Sequence, residues 1–192
     1  MSTENETRGD SAADAPREGS GLWRALGVMA LAGTGIFALL NDRCTPSSAL
    51  EGQHAPAFVL PVVAGLGHDE GDRIDLARMQ GHVVVLDFWA SWCPPCRASV
   101  PALDAFARAH PEVTVVGVNV ETDRSEAFVR GEHAALHGTY PTVHDATGAL
   151  QQAYSVVQLP TLLVIDAQGV VTDSHVGAVD EAWLNRHVPS AP

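Results

Sequence analysis

The run Val83-Val84-Val85-Leu86, closed off by Trp92-Cys93-Pro94-Pro95-Cys96, constrains the fold of this chain more than any other feature. The run is β-branched, apolar and without alternation, the pattern of a strand covered on both faces. The stretch from Pro94 reads as a helix to about Ala109. A Cys-x-x-Cys at this junction stands at a helix N-terminus, where unpaired N–H groups and a partial positive charge favour thiolate at Cys93. The thiolate is the attacking species in thiol-disulfide exchange. Two intervening residues leave Cys96 one helical turn away, within reach of a mixed disulfide formed at Cys93. The competing reading is half of a structural zinc site. Zinc wants four ligands, and the remaining cysteine, Cys44, has no Cys-x-x-Cys partner.

The chain has 192 residues, 46% of them hydrophobic, enough for one packed domain with extra segments. Its net charge is -12, which argues against nucleic-acid binding through a basic face. Three cysteines are too few for a disulfide-stapled framework; a redox pair with one extra thiol fits better.

Four segments follow from composition. Residues 1–21 are polar and read as a disordered cytoplasmic tail. Ala25 to Leu40 carries no charge, and with Leu22 and Trp23 it reaches the lower end of the roughly 17–25 residues of a membrane span. Arg24 can snorkel at its edge. Arg8, Arg17 and Arg24 precede the segment and only Arg43 follows closely, so 22–40 reads as a single-pass signal anchor with the rest of the chain outside the cytoplasm. A cleaved signal peptide ending near Ser47-Ser48-Ala49, or a buried core helix, is the alternative. Residues 41–54 read as a linker, and 55–192 as the folded domain.

Within that domain, Ala57 to Leu60 and Arg73 to Leu76 form a hairpin around the turn-rich Gly65 to Gly71. Val83 to Phe88 and Val113 to Val120 are buried strands. Pro94 to Ala109, with Pro101 inside it, and Arg124 to Leu136 are helices. Thr147 to Tyr154 is a short helical turn. Thr161 to Ile165 and Val170 to Ser174 pair around Asp166-Ala167-Gln168-Gly169. Asp180 caps a last helix to about Val188. The order β-β-β-α-β-α-β-β-α predicts an α/β fold: a central mixed sheet flanked by helices, with the reactive turn at a strand's carboxyl end.

Val84 to Cys96 (VVLDFWASWCPPC) closely resembles the thioredoxin active-site signature. Pro101 sits where thioredoxins place a kinking proline, and Leu159-Pro160-Thr161 resembles their cis-proline element. The early hairpin and the apolar N-terminal segment resemble the TlpA/ResA branch of anchored, extracytoplasmic thiol-disulfide oxidoreductases. The resemblance covers about Ala55 to Val188. It departs from the branch at Ser99, where a glutamate is frequent, and at Asp87, where an asparagine is frequent. Gly117 occupies the place of a thioredoxin lysine, and Leu159 precedes the proline where the cytochrome-c-maturation subgroup has a Gly-rich pattern.

Cys93 is the candidate nucleophile, exposed at the helix start, and Cys96 the more buried resolving thiol. Together they form the redox-active disulfide that the resemblance implies. Asp87 is the candidate base for Cys96, its pKa raised by burial; the bland reading is a strand-end carboxylate bonded to N–H groups. The resemblance implies a cis peptide at Pro160, with the Leu159 backbone open to an extended substrate. Trp92 reads as an aromatic beside the disulfide, with packing as its alternative, and Pro94 and Pro95 as tuners of the redox potential. His133 and His137 have metal-compatible spacing on a helix, but read as an exposed helix end. The site calls for no metal and no cofactor. Implied partners are protein substrates with disulfides or thiols and a membrane redox partner that supplies electrons. The function read is reduction of protein disulfides, with apocytochrome c as one candidate. Disulfide formation, or a copper-handling module on the same fold, is the alternative; the latter usually carries Cys-x-x-x-Cys and a histidine.

Overall fold

The computed structural model describes residues 49–69 and 71–189. The readings on the tail, the anchor at 22–40 and Cys44 lie outside the described residues. Among the described residues, no helix is long and apolar enough to cross a membrane.

Seven strands form one sheet. In chain order they are β1 (Val59–Ala64), β2 (Arg73–Asp75), β3 (Val83–Trp89), β4 (Val113–Asn119), β5 (Thr142–His144), β6 (Thr161–Ile165) and β7 (Val171–Val176). Their spatial order is β2-β1-β5-β4-β3-β6-β7. β3 runs parallel to β4 and antiparallel to β6, so the sheet is mixed, as the order of elements predicts. The helices are α1 (Pro94–Ala109), α2 (Glu126–Ala135), α3 (Ala149–Ala153) and α4 (Glu181–His187), with a 3-10 turn over Leu76–Met79. β1 and β2 form the N-terminal hairpin.

Every residue of β3 is buried, the expected outcome for an apolar run without alternation. Leu86 and Phe88 face a cluster with Val116, Val118, Val129 and Tyr154. Val83 and Val85 face the other way, into a cluster with Val100, Leu103 and Phe106 of α1 and Leu184 of α4. Helix α1 runs through Pro101, which is exposed. Ser125 and Asp180 cap α2 and α4, accepting the N–H groups of Phe128 and Trp183.

One strand was not legible. β5 has three residues, Thr-Val-His, too short for a period to show. It lies between β4 and β1, parallel to the former and antiparallel to the latter, and so joins the hairpin to the main sheet. The backbone also packs earlier than Ala55. Gly52 N–H donates to Val171 O, Val171 N–H donates to Gln53 O, and Leu50 packs against the core. At the far end of β1, Gly65 has φ +127° and would place a Cβ 2.8 Å from the Pro141 Cα, so a side chain there would push the hairpin off β5.

Candidate active site

β3 ends at Trp89, and the chain turns through Ala90-Ser91-Trp92 into α1, with Cys93 N–H donating to Ala90 O. Cys93 is the N-cap of α1, and Pro94 and Pro95 fill its first positions, where a missing N–H costs no helix bond. The Cys93 sulfur accepts the Cys96 N–H at 3.3 Å. Cys93 and Cys96 are joined by a disulfide, with Cα atoms 5.3 Å apart. Pro94 and Pro95 are exposed, and Trp92 is 67% exposed. Trp92 is therefore a surface aromatic and not a packing residue.

Cys93 departs from expectation. It is 2% exposed and Cys96 1%, so in the disulfide form the first cysteine is as buried as the second. Both cysteines belong to the buried core cluster on the Leu86 and Phe88 side of the sheet.

The Leu159-Pro160 peptide is cis, as the resemblance implies. Pro160 is buried, and Leu159 half-buried against the core.

Asp87 is 1% exposed and pairs in register with Gly117 on β4 and Leu162 on β6. Alternation along β3 puts it on the face of Val83 and Val85, which α1 covers. Its carboxyl is not bonded to N–H groups. Oδ2 accepts the Tyr140 hydroxyl at 3.3 Å, and Oδ1 has no hydrogen-bond partner among the described residues. Burial pushes the Asp87 carboxyl from an ordinary 3.8 up to about 7, and the Tyr140 bond pulls the other way. No lysine is present to oppose this: a Cβ on Gly117 would meet Thr142 Oγ1 at 2.4 Å and Trp89 Nε1 and Tyr140 Cε2 at 3.2 Å.

Two polar groups around the pair have no role in the sequence reading. Glu121 is 4% exposed and accepts the Ser91 N–H (2.7 Å), the Ser91 hydroxyl (2.9 Å) and the Asn119 amide (3.0 Å), tying the turn before Trp92 to the end of β4. Trp89 pairs with Asn119 in register, so the parallel strand ends were the available signal. Ser99, which stands where the branch often has glutamate, is buried; its hydroxyl donates to Pro95 O and accepts the Val179 N–H.

The expectation of an exposed His133–His137 helix end fails for His133. That ring is 1% exposed, 5.1 Å from Tyr140 and 6.0 Å from Trp89, and burial pushes its pKa down to about 4. Gly138 makes this possible, since a Cβ there would sit 2.4 Å from His133 Nε2. His137 is exposed, beyond the helix end at φ 58°. The two imidazoles share no face. Among the described residues, no group of three His, Cys, Asp or Glu is placed to hold a metal ion.

With this geometry in place, comparison with known proteins decides the family. The Redoxin family matches residues 50–189. The chain belongs to that family. It is 34% identical over 138 residues to the thioredoxin-like protein YneN of Bacillus subtilis, covering 71% of this chain and 77% of that one. It is 27% identical over 168 residues to the thiol-disulfide oxidoreductase ResA of Bacillus thuringiensis subsp. konkukian, covering 87% and 94%. The crystal structure of StoA from Bacillus subtilis superposes with a TM-score of 0.59 at 27% identity, covering 69% of this chain and 96% of that one. This Redoxin member is thus a thiol-disulfide oxidoreductase of the ResA type, with the Cys93–Cys96 pair at its centre.

The two displaced titrations act oppositely on stability. Asp87 binds its proton more tightly folded than unfolded, so its contribution is intact below about pH 4 and is lost as pH rises to about 7. His133 binds its proton less tightly folded, so its cost appears as pH falls from 6.5 toward about 4. The difference between Asp87→Asn and the wild type isolates the first. In denaturant unfolding of the oxidised protein, the variant should gain on the wild type from pH 4 to pH 8, by at most about 4 kcal/mol at 1.36 kcal/mol per pKa unit. A constant difference across that range would contradict the raised Asp87.

Proposed function

We propose that this chain is a membrane-anchored, extracytoplasmic oxidoreductase that reduces disulfides in protein substrates through the Cys93–Cys96 pair, with apocytochrome c as a candidate substrate. The observation that carries the role of the pair is the sulfur cap: the Cys93 sulfur already accepts a helix N–H, so negative charge on it is met by a donor.

Reduced Cys93, as thiolate, attacks one sulfur of the substrate disulfide. A Cys93–substrate disulfide forms and the other substrate sulfur leaves as thiolate. Asp87 then takes the Cys96 proton. The Cys96 sulfur attacks Cys93, the second substrate thiolate leaves, and the Cys93–Cys96 disulfide closes. The substrate gains two electrons and the pair loses them. A membrane redox partner returns them. An Asp87 pKa near 7 suits a group that must be deprotonated before the step and protonated after it.

Trp92, Leu159 and Pro160 receive the substrate segment. Trp92 offers an exposed apolar ring beside Cys93, and the Leu159 backbone offers strand-like pairing next to the cis peptide. Pro94 and Pro95 remove two N–H donors at the helix start and so set the potential of the pair. The apolar segment at 22–40 tethers the domain, and the arginine bias before it supports a domain outside the cytoplasm.

Cys93→Ser should abolish disulfide reductase activity in an insulin or model-disulfide assay, and activity at the wild-type level would reject the assignment of the nucleophile. In intact cells, the full chain should fractionate with membranes and its pair should be alkylated mainly in the reduced form. A mainly oxidised pair would reverse the direction to disulfide formation.

A further inference from the structure

We propose that Tyr140 is a positioning residue of this reaction: its hydroxyl is the built-in donor to the Asp87 carboxyl and sets how readily that carboxyl takes the Cys96 proton. The inference rests on the reading of Asp87 as the base for Cys96.

Three features bring Tyr140 to Asp87, and none of them is the hydrogen bond itself. Asp87 pairs in register with Gly117, and Gly117 N–H donates to Pro141 O, so the residue before Pro141 is delivered beside Asp87. Gly117 lacks a side chain; a Cβ there would collide with Thr142 Oγ1 at 2.4 Å and crowd the Tyr140 ring, whose Cε2 would lie at 3.2 Å. Asp104 on α1 then fixes Thr139 by accepting both its N–H, at 2.7 Å, and its hydroxyl, while ion-pairing with Arg108. Tyr140 is 3% exposed, and its ring meets His133 edge-on at 5.1 Å. A phenol held this way has no water to turn to, and the Asp87 carboxylate is the hydrogen-bond acceptor the structure gives it.

The direction of the effect follows from the inventory of groups facing Asp87 and Tyr140. From α1 comes Asp104, from α2 His133, from β3 Trp89, and from β4 no side chain at Gly117. Burial holds His133 neutral at physiological pH, so it supplies no positive charge. Burial and the nearby Asp87 charge raise the Tyr140 hydroxyl well above its ordinary range, so it remains a neutral donor throughout the working range. Among the described residues Tyr140 is the donor that Asp87 has, and its bond favours the ionised carboxyl.

In the step concerned, the Cys96 S–H bond breaks and its proton passes to the Asp87 carboxylate. The Cys96 sulfur forms a bond to Cys93 while the Cys93–substrate S–S bond breaks, its electron pair leaving on the substrate sulfur. Removing the Tyr140 hydroxyl makes Asp87 hold its proton more tightly, so the carboxylate form needed at the start becomes scarcer at a given pH.

The test is to follow the Asp87 carboxyl by carbon-13 NMR or its infrared band across pH in the oxidised full chain, where neither cysteine titrates. Tyr140→Phe should raise the midpoint by about one pH unit, tenfold in proton affinity, and should move the acid limb of the mixed-disulfide resolution rate upward by the same amount. Incorporating 3-fluorotyrosine at position 140, a stronger donor of nearly the same shape, should lower the midpoint. A midpoint unmoved by both changes, in protein with wild-type near-ultraviolet circular dichroism, would overturn the proposal. Failure of the underlying reading looks different: Asp87→Asn would then resolve the mixed disulfide at the wild-type rate at every pH.

Discussion

The sulfur of Cys93 caps helix α1, accepting the Cys96 N–H at a helix end whose first turn carries no acidic side chain. With prolines at its first two positions, the helix gives its first N–H, that of Cys96, to the sulfur. This arrangement depends on where β3 stops. With both faces and both edges of β3 covered, the polar turn can form only where the strand runs out, and it is there that Glu121 grips Ser91 through its N–H and its hydroxyl. The covered strand places the turn, the turn places the cap, and the cap favours one ionised sulfur.

A second demand is set against the first. The Cys93 sulfur is met by an N–H donor, whereas Asp87, on the α1-covered face of β3, is pushed by burial to keep its proton to about pH 7. In the proposed exchange the sulfur at the helix start attacks first, and a carboxyl that holds its proton to about pH 7 is suited to take a proton only in the second step. Gly117 matters here as an absence. A side chain on β4 opposite Asp87 would collide with Thr142 and crowd Tyr140; without one, the hydrogen-bond donor to the carboxyl is a phenol.

The parts legible in the sequence were those with strong local signals. The unbroken run of β3 marked a buried strand, Pro94 and Pro95 marked a helix start, and Asp166 to Gly169 marked the β6–β7 turn. The cis peptide at Pro160 came from the resemblance and not from the residues, since most X–Pro bonds are trans. What stayed hidden depends on tertiary context. β5 is too short to show a period, yet its pairing with β1 closes the sheet. His133 looked like half of an exposed pair, because nothing local shows that Gly138 opens a space for its ring. Glu121 and Tyr140 give no local signal, because their partners lie 30 and 53 positions away in the chain.

The most direct measurement is a titration of the reduced pair, following thiolate absorbance and the alkylation rate of Cys93 against pH. The account predicts that Cys93 ionises well below the ~8.5 of a free cysteine and that Cys96 ionises above Cys93. A Cys93 midpoint at or above the free value would contradict it, because the helix end would then provide no preference for a charged sulfur.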